Sequence, residues 1–287
     1  ALFGMNPIAT ATLAGVLVSM LGAFGAMLAL YSMAKDALGE EGGLRAAFYL
    51  LVFPAAMFLA VIYTEGLFLG LSFGALALAR RRKWIWAGLL AACATLTRAA
   101  GGLLLLPLVL FWLQDGGLKR LGGRAWWKEA LGLLALAGPL WAYLGFQFTL
   151  GENFHIVESM FFSRGLLLFE QSWNAWKTAW DGLFHGPDPM RAYYLVEFGA
   201  LFFAVFACLW GARKEPVLAL YGLVSIFFSL TSGAAQGMHR YVMAAPLLFL
   251  VPARWGRNEA FDKAWTLGSI LLMGIFFTMF AFDFWAG

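Results

Sequence analysis

Residues 49–79 read YLLVFPAAMFLAVIYTEGLFLGLSFGALALA, an apolar run whose sole charge is the carboxylate of Glu65. A run this long and this apolar leaves few choices of fold. Crossing a hydrocarbon layer takes about 20 helical residues. In lipid the backbone groups must pair within their own segment, which selects helices or closed barrels. A barrel strand would alternate apolar and polar residues, and no such alternation is visible. The rest of the chain agrees. Hydrophobic residues make up 62% and charged residues 13%, against about 25% charged in an ordinary soluble domain.

Apolar segments recur at 8–31, 46–63, 66–79, 84–98, 102–113, 131–150, 195–212, 217–233, 241–252 and 266–284. The predicted fold class is all-α, a polytopic transmembrane bundle of about ten apolar segments with amphipathic external helices, forming a single membrane domain over residues 1–287. Segments short for a crossing would tilt or extend through flanking residues. Cations set the orientation. If the ARRRKW turn faces the cytoplasm, strict alternation puts fifteen Lys and Arg on that side, among them Lys35, Arg45, Arg80–Lys83, Arg120 and Arg124. Five remain outside: Arg98, Arg164, Lys177, Arg191 and Arg240. The expected location is a cell membrane, of the prokaryotic plasma-membrane kind. The basic charge reads as topology, so no nucleic-acid partner is expected.

Residues 151–194 form the one loop long enough to be a structured external cap. Within it Trp173, Trp176, Trp180 and Phe184 recur at helical spacing, ahead of the Gly186-Pro187 stop. That pattern predicts an amphipathic helix lying in the membrane interface or packed on the protein's own outer surface. Gly66, Gly70 and Gly74 form a small-residue stripe that lets a neighbouring helix approach closely. Cys93 and Cys208 fall inside predicted spans, so neither a disulfide framework nor a zinc site is expected. Phosphate-loop, HExxH, GxSxG and CxxC motifs and dense acidic clusters are missing, which leaves no expected metal or cofactor.

The charges at the outer ends of the spans are few: Glu65, Arg98, Arg164, Glu197, and Arg240 with its neighbour His239. Ionisable groups at membrane depth pair with one another or line a wet cavity. Two accounts of Glu65 stay open. Thr64 would cap the helix that Glu65 opens, with Arg98 as ion partner; or both line a site. In SGAAQGMHRYVMAAP, Gly233 and Gly237 permit a tight bend, and His239 and Arg240 follow at a helix start, where anions are favoured. A guanidinium there suits a phosphate through paired donors. Snorkelling to lipid phosphates is the alternative for Arg240. His239 reads as a surface histidine, with a base role as the alternative.

The order of these motifs resembles the PIG-V-type, GPI mannosyltransferase II-like family of GT-C polytopic glycosyltransferases. Phe53-Pro54, Tyr63-Thr64-Glu65, the basic turn and Leu96-Thr97-Arg98 carry the resemblance over about residues 10–110. FFSRG around Arg164 and GMHRY around Arg240 and Tyr241 carry it more weakly. The resemblance implies a GT-C fold and transfer of a sugar, typically mannose, from a polyprenyl-phosphate donor on the external face. A general base would assist an acceptor hydroxyl. It places Glu65, Arg98, Arg164, His239, Arg240 and Tyr241 at the substrate, with Arg240 foremost on the phosphate.

The family's usual catalytic acid is an Asp in a first external loop, and no residue here matches it. The resemblance sets the opening Ala1 just ahead of the family's second or third span, so a missing upstream part is expected. No catalytic residue is assigned. The alternative is a non-catalytic membrane subunit of a larger complex, with other membrane chains as partners beside lipid and donor. A transporter is a weaker third reading, because no inverted repeat is evident.

Overall fold

A computed structural model describes residues 6–123, 126–150 and 164–282. These are helical apart from turns, short 3-10 stretches and one isolated antiparallel bridge between Arg164 and Gly233. Arg124 and the first part of the 151–194 loop, residues 151–163, lie outside the described residues. The described chain divides into two compact units. One runs to Tyr143 and adds Phe249–Thr278; the other comprises Leu144–Leu248 and the residues from Met279.

In the first unit, α1 (Pro7–Leu51) starts at Asn6, whose side chain accepts the Ala9 N–H at 2.7 Å, with Pro7 next in line. Gly39 interrupts α1 with φ 77° and ψ −178°, a conformation open to glycine alone. The expected loop between segments 8–31 and 46–63 is therefore helix carried through a glycine break. The second of those segments is not one span. Helix α1 stops at Leu51, and a 3-10 turn at Ala56–Leu59 follows. Pro54 explains the stop, since it lacks a donor and disfavours helical backbone at Phe53.

Helix α2 (Glu65–Arg80) packs on α1 nearly backbone to backbone. A methyl group added at Gly66 would lie 2.3 Å from the Ser19 carbonyl oxygen, and one at Gly70 2.3 Å from that of Gly22. The Ser19 hydroxyl donates to the Tyr63 carbonyl at 2.6 Å and ties down the chain entering α2. Gly74 departs from the expected stripe. It faces Leu90 of α3 (Trp84–Thr97), where a methyl would meet a movable side-chain carbon at 2.9 Å. Helix α3 in turn meets α6 (Trp126–Leu136) at Gly88, whose added methyl would lie 1.9 Å from the Ala135 oxygen.

Between them, α4 (Leu105–Gln114) and the short α5 (Gly117–Leu121) end in a polar knot. Asp115 pairs with Arg82 at 2.6 Å and Arg120 at 2.8 Å, and Arg120 also reaches Glu129 at 2.8 Å. The hydrogen bond that Arg120 donates to Glu129, opposed by desolvation and helped by the Asp115 charge, raises the Arg120 pKa above its ordinary value. Helix α6 continues into α7 (Gly138–Leu150) through a 47° bend.

The second unit holds α8 (Phe169–His185), α9 (Asp188–Gly211), α10 (Pro216–Leu230) and the one-turn α11 (Met238–Tyr241). The chain then runs through a 3-10 turn into α12 (Leu247–Trp255), which returns it to the first unit, where α13 (Glu259–Ala281) follows. The aromatic stripe predicted on α8 is divided. Trp176 turns inward, donating to the Leu230 carbonyl at 3.1 Å and meeting Phe198 at 5.5 Å between ring centroids. Ala179 beside it is fully buried, while Trp173, Trp180 and Phe184 stay exposed. In the first unit Phe249 of α12 packs edge-on against Phe53 and Phe73. Tyr49 donates to Asp262 of α13 at 2.5 Å.

Among the described residues, Pro7–Leu51, Asp188–Gly211 and Glu259–Ala281 are long and apolar enough to cross a membrane, and the bent α6–α7 pair is a fourth candidate. Trp84–Thr97, Ala99–Gln114 and Pro216–Leu230 are apolar but shorter. The apolar helices support a multi-pass membrane protein. The expected segment 241–252 is broken at Pro246 and buried throughout Val242–Ala253.

Gly70→Ala should destabilise the protein by about 1–3 kcal/mol, the usual cost of forcing atoms into a filled contact. Gly25→Ala, whose methyl would sit 3.7 Å from Gly70 Cα, should change stability by less than about 0.5 kcal/mol. Unfolding curves of the two variants in one detergent compare them directly.

Candidate functional site

The first unit brings Glu65 and Arg98 together. Glu65 opens α2, where the helix dipole favours its charge. Thr64 occupies the capping position with φ −82° and ψ −8°, and its side chain makes no capping bond. Arg98 closes α3 in extended conformation and turns back toward the start of α2. Its Nη1 lies 2.9 Å from Glu65 Oε1. The Glu65 side chain is 5% exposed and that of Arg98 21%, so water screens this pair little. The guanidinium also sits 5.7 Å from the centre of the Phe68 ring. The ion-pair account of these residues therefore describes the geometry, and the Thr64 cap does not.

The second unit gathers the other candidates. Arg164 lies against the bend of residues 231–237. Its Nη1 donates to the Ser232 hydroxyl at 2.6 Å and its Nη2 to the Gln236 carbonyl at 2.7 Å. Backbone bonds from Gly165 to Ser232 and from Leu168 to Thr231 fix the approach. Tyr241 is the common platform for both arginines. The Arg164 guanidinium carbon stands 4.4 Å from its ring centre and that of Arg240 5.3 Å. Arg240 Nη2 also lies 3.3 Å from the Tyr241 hydroxyl. Cation–ring contacts at these distances are attractive and stiffen both partners.

Beneath the arginines lies Glu197, a fully buried carboxylate of α9. Its Oε1 accepts the Gly237 N–H at 2.6 Å, and its Oε2 accepts the His239 N–H at 2.9 Å. The Tyr193 hydroxyl, one helical turn earlier, also donates to Oε1. His239 Nδ1 stands 3.1 Å from the same oxygen. Gly237 has φ 81°, which turns its amide toward α9 and suits glycine.

Two expectations change here. His239 is not a surface histidine; it is 1% exposed and packs edge-on to Tyr193. The start of α11 is not an open anion site, because Glu197 already takes its amides. Sequence reading noted the Glu197 charge without giving it a role, and it passed over Tyr193, Ser232 and Gln236. The available signal was a carboxylate four residues after a tyrosine inside an apolar helix. An open cleft of about 560 Å³ is lined by Leu168, Phe169, Glu170, Gln171 and Asn174, none of them an expected site residue. Among the described residues no three His, Cys, Asp or Glu side chains gather as a metal site.

Residues 3–143 match the model of the family described as dolichyl-phosphate-mannose-protein mannosyltransferase. The match covers just under half of the chain and includes Glu65 and Arg98. It supports the coarser likeness to GT-C glycosyltransferases and does not single out the PIG-V-type family. Among solved structures, ArnT from Cupriavidus metallidurans in the apo state is 20% identical, with a TM-score of 0.45. The alignment covers 85% of this chain and 46% of that one, so this chain spans about half the length of that structure. No curated protein matches it.

Glu65→Leu should cost about 3–5 kcal/mol by removing the carboxylate that faces the Arg98 charge. The double change Glu65→Leu with Arg98→Leu should recover most of that loss. Detergent unfolding of the three variants against the parent measures the coupling.

Proposed function

We propose that this chain belongs to a GT-C membrane glycosyltransferase that takes a sugar, mannose in the first instance, from a polyprenyl-phosphate donor on the external face of a prokaryotic plasma membrane. The observation that carries this reading is the mannosyltransferase-family match over residues 3–143. The cluster of Arg164 and Arg240 on Tyr241 adds chemistry that suits a lipid phosphate. PIG-V-type membership is a finer version of the same proposal, resting on the motif order around Glu65 and Arg98. The described part of the external loop, residues 164–194, would roof the external side.

In such a transfer an acceptor hydroxyl oxygen bonds to the anomeric carbon as the bond to the donor phosphate oxygen breaks. A base takes the hydroxyl proton, and the phosphate leaves with the electron pair. The base is unassigned in this chain. Arg240 and Arg164 would meet the charge that grows on the leaving phosphate, Arg164 through the guanidinium hydrogens not given to Ser232 and Gln236. Glu65, oriented by Arg98, would accept from sugar or acceptor hydroxyls. His239 would act through the turn it belongs to, since burial keeps its ring from the surface.

One observation favours a second reading, a non-catalytic membrane subunit. Glu65 and Arg98 pair with each other, as they would in a retired site. Transfer of labelled mannose from polyprenyl-phosphate-mannose by the full-length protein in proteoliposomes separates the two. Arg240→Ala and Arg164→Ala should each lower kcat/KM by about 10²-fold. Lys177→Ala, on the charged face of α8, should leave it unchanged. Transfer unaffected by Arg240→Ala would remove that residue from the site; no transfer at all by the parent protein would favour the subunit.

A further inference from the structure

The buried group that the proposed reaction leaves unused is Glu197. A carboxylate with zero exposure in an apolar helix carries a large desolvation cost unless the fold gives it donors. This one has four nitrogen or oxygen groups about it: Gly237 N, His239 N, the Tyr193 hydroxyl and His239 Nδ1. Two of the four are backbone amides of the turn that ends in Arg240. The Tyr193 hydroxyl adds a second tie, lying 3.2 Å from the same Gly237 N–H.

The geometry also links Glu197 to Arg164. Arg164 holds the carbonyl of Gln236, whose peptide unit carries the Gly237 N–H that Glu197 accepts. One peptide plane is thus gripped on its oxygen side by a guanidinium and on its nitrogen side by a carboxylate. Downstream, the Arg240 and Tyr241 amides bond back to the Gly237 carbonyl at 3.0 and 3.2 Å. A shift of the Gly237 peptide would therefore move both arginines relative to the Tyr241 ring.

We propose that Glu197 is the positioning residue of the arginine turn: it fixes the Gly237–His239 backbone from α9 and thereby sets the placement of Arg240 and Arg164 toward a phosphate-bearing lipid. The phosphate half of this statement rests on the function proposed above; the backbone half does not. The chemistry restricts the residue type. An aspartate would withdraw the carboxylate by one methylene from amides now at 2.6 and 2.9 Å. A glutamine would offer one acceptor oxygen and turn an N–H₂ toward groups that are themselves donors.

The test compares Glu197→Gln with Arg240→Ala in detergent-purified full-length protein, using polyprenyl monophosphate as the probe. Hydrogen–deuterium exchange of residues 233–241 reports the turn without reference to function. In Glu197→Gln, exchange at Gly237 and His239 should rise at least about 10-fold, as expected for losing hydrogen bonds to a charged acceptor, with exchange in α10 unchanged. The polyprenyl phosphate Kd should rise by about the same factor. Arg240→Ala should weaken binding without altering exchange.

Unchanged exchange in Glu197→Gln would overturn the proposal. So would faster exchange with an unchanged Kd, if Arg240→Ala weakens binding. Should neither variant alter the Kd, the phosphate reading fails, and exchange alone decides whether Glu197 holds the turn. If Glu197→Gln does not fold, Tyr193→Phe takes its place. It keeps the carboxylate, removes one donor, and should speed exchange at Gly237 by about 3-fold, the effect of one neutral hydrogen bond; no change there would overturn the proposal.

Discussion

A carboxylate in an apolar segment must find its donors within the chain, because lipid supplies none. Three carboxylates meet that demand in three ways. Glu65 takes one guanidinium, Arg98. Asp115 takes two, Arg82 and Arg120. Glu197 takes backbone amides, a phenol and an imidazole. Each pairing joins an end or break of one helix to another part of its unit. Glu65 ties the start of α2 to the end of α3, Asp115 ties the turn after α2 to the turn before α5, and Glu197 ties α9 to the bend before α11. Glu65 and Asp115 lie where helices stop, and Glu197, inside α9, reaches the bend before α11, because amides and flexible turns are available there.

Between those ties the helices are held by contact rather than by hydrophobic segregation, which drives little association within lipid. The α1–α2 crossing shows the consequence. Ser19 and Gly22 face Gly66 and Gly70 so closely that no side chain fits between them. Glu65 directly precedes Gly66, so the close crossing fixes the carboxylate's height and bearing. The Ser19 bond to Tyr63 fixes the approach from the other side. Packing and electrostatics thus act on neighbouring residues of one short stretch, and the Glu65–Arg98 pair forms without the Thr64 cap.

How far the sequence revealed this depended on the range of the physics involved. The helical class followed from segment hydropathy, and the glycine contacts at 66 and 70 from spacing. The Glu65–Arg98 pair was an option because a short hairpin returns Arg98 to Glu65. What was missed depended on breaks and on distant partners. Pro54 stops α1 early, yet the apolar run continues through it, so hydropathy alone joined 46–63. Gly39 does the reverse, confining the expected loop to a short break with helix on both sides. Trp176 and Trp180 share a spacing and both meet Phe198, but only the position of the Leu230 carbonyl decides which indole N–H turns inward. His239 looked like a surface residue because it sits in a short turn expected on the external side. Its burial comes from α9, some forty residues upstream.

The same long-range partner changes what the GMHRY turn is able to do. A helix start offers amide donors, and an anion is expected to settle on them. Here the anion is Glu197, part of the protein, so those amides are already engaged. In the proposed reading, attraction for an external anion passes instead to Arg164 and Arg240, stacked on Tyr241. That exchange alters the selectivity of the site. Backbone amides cradle almost any small oxyanion, whereas two forked guanidinium groups against a ring favour a group with several exposed oxygens and room for paired donors. A phosphate at the head of a lipid meets that description. In that reading the buried carboxylate holds the turn in place, and recognition falls to the side chains of Arg164 and Arg240.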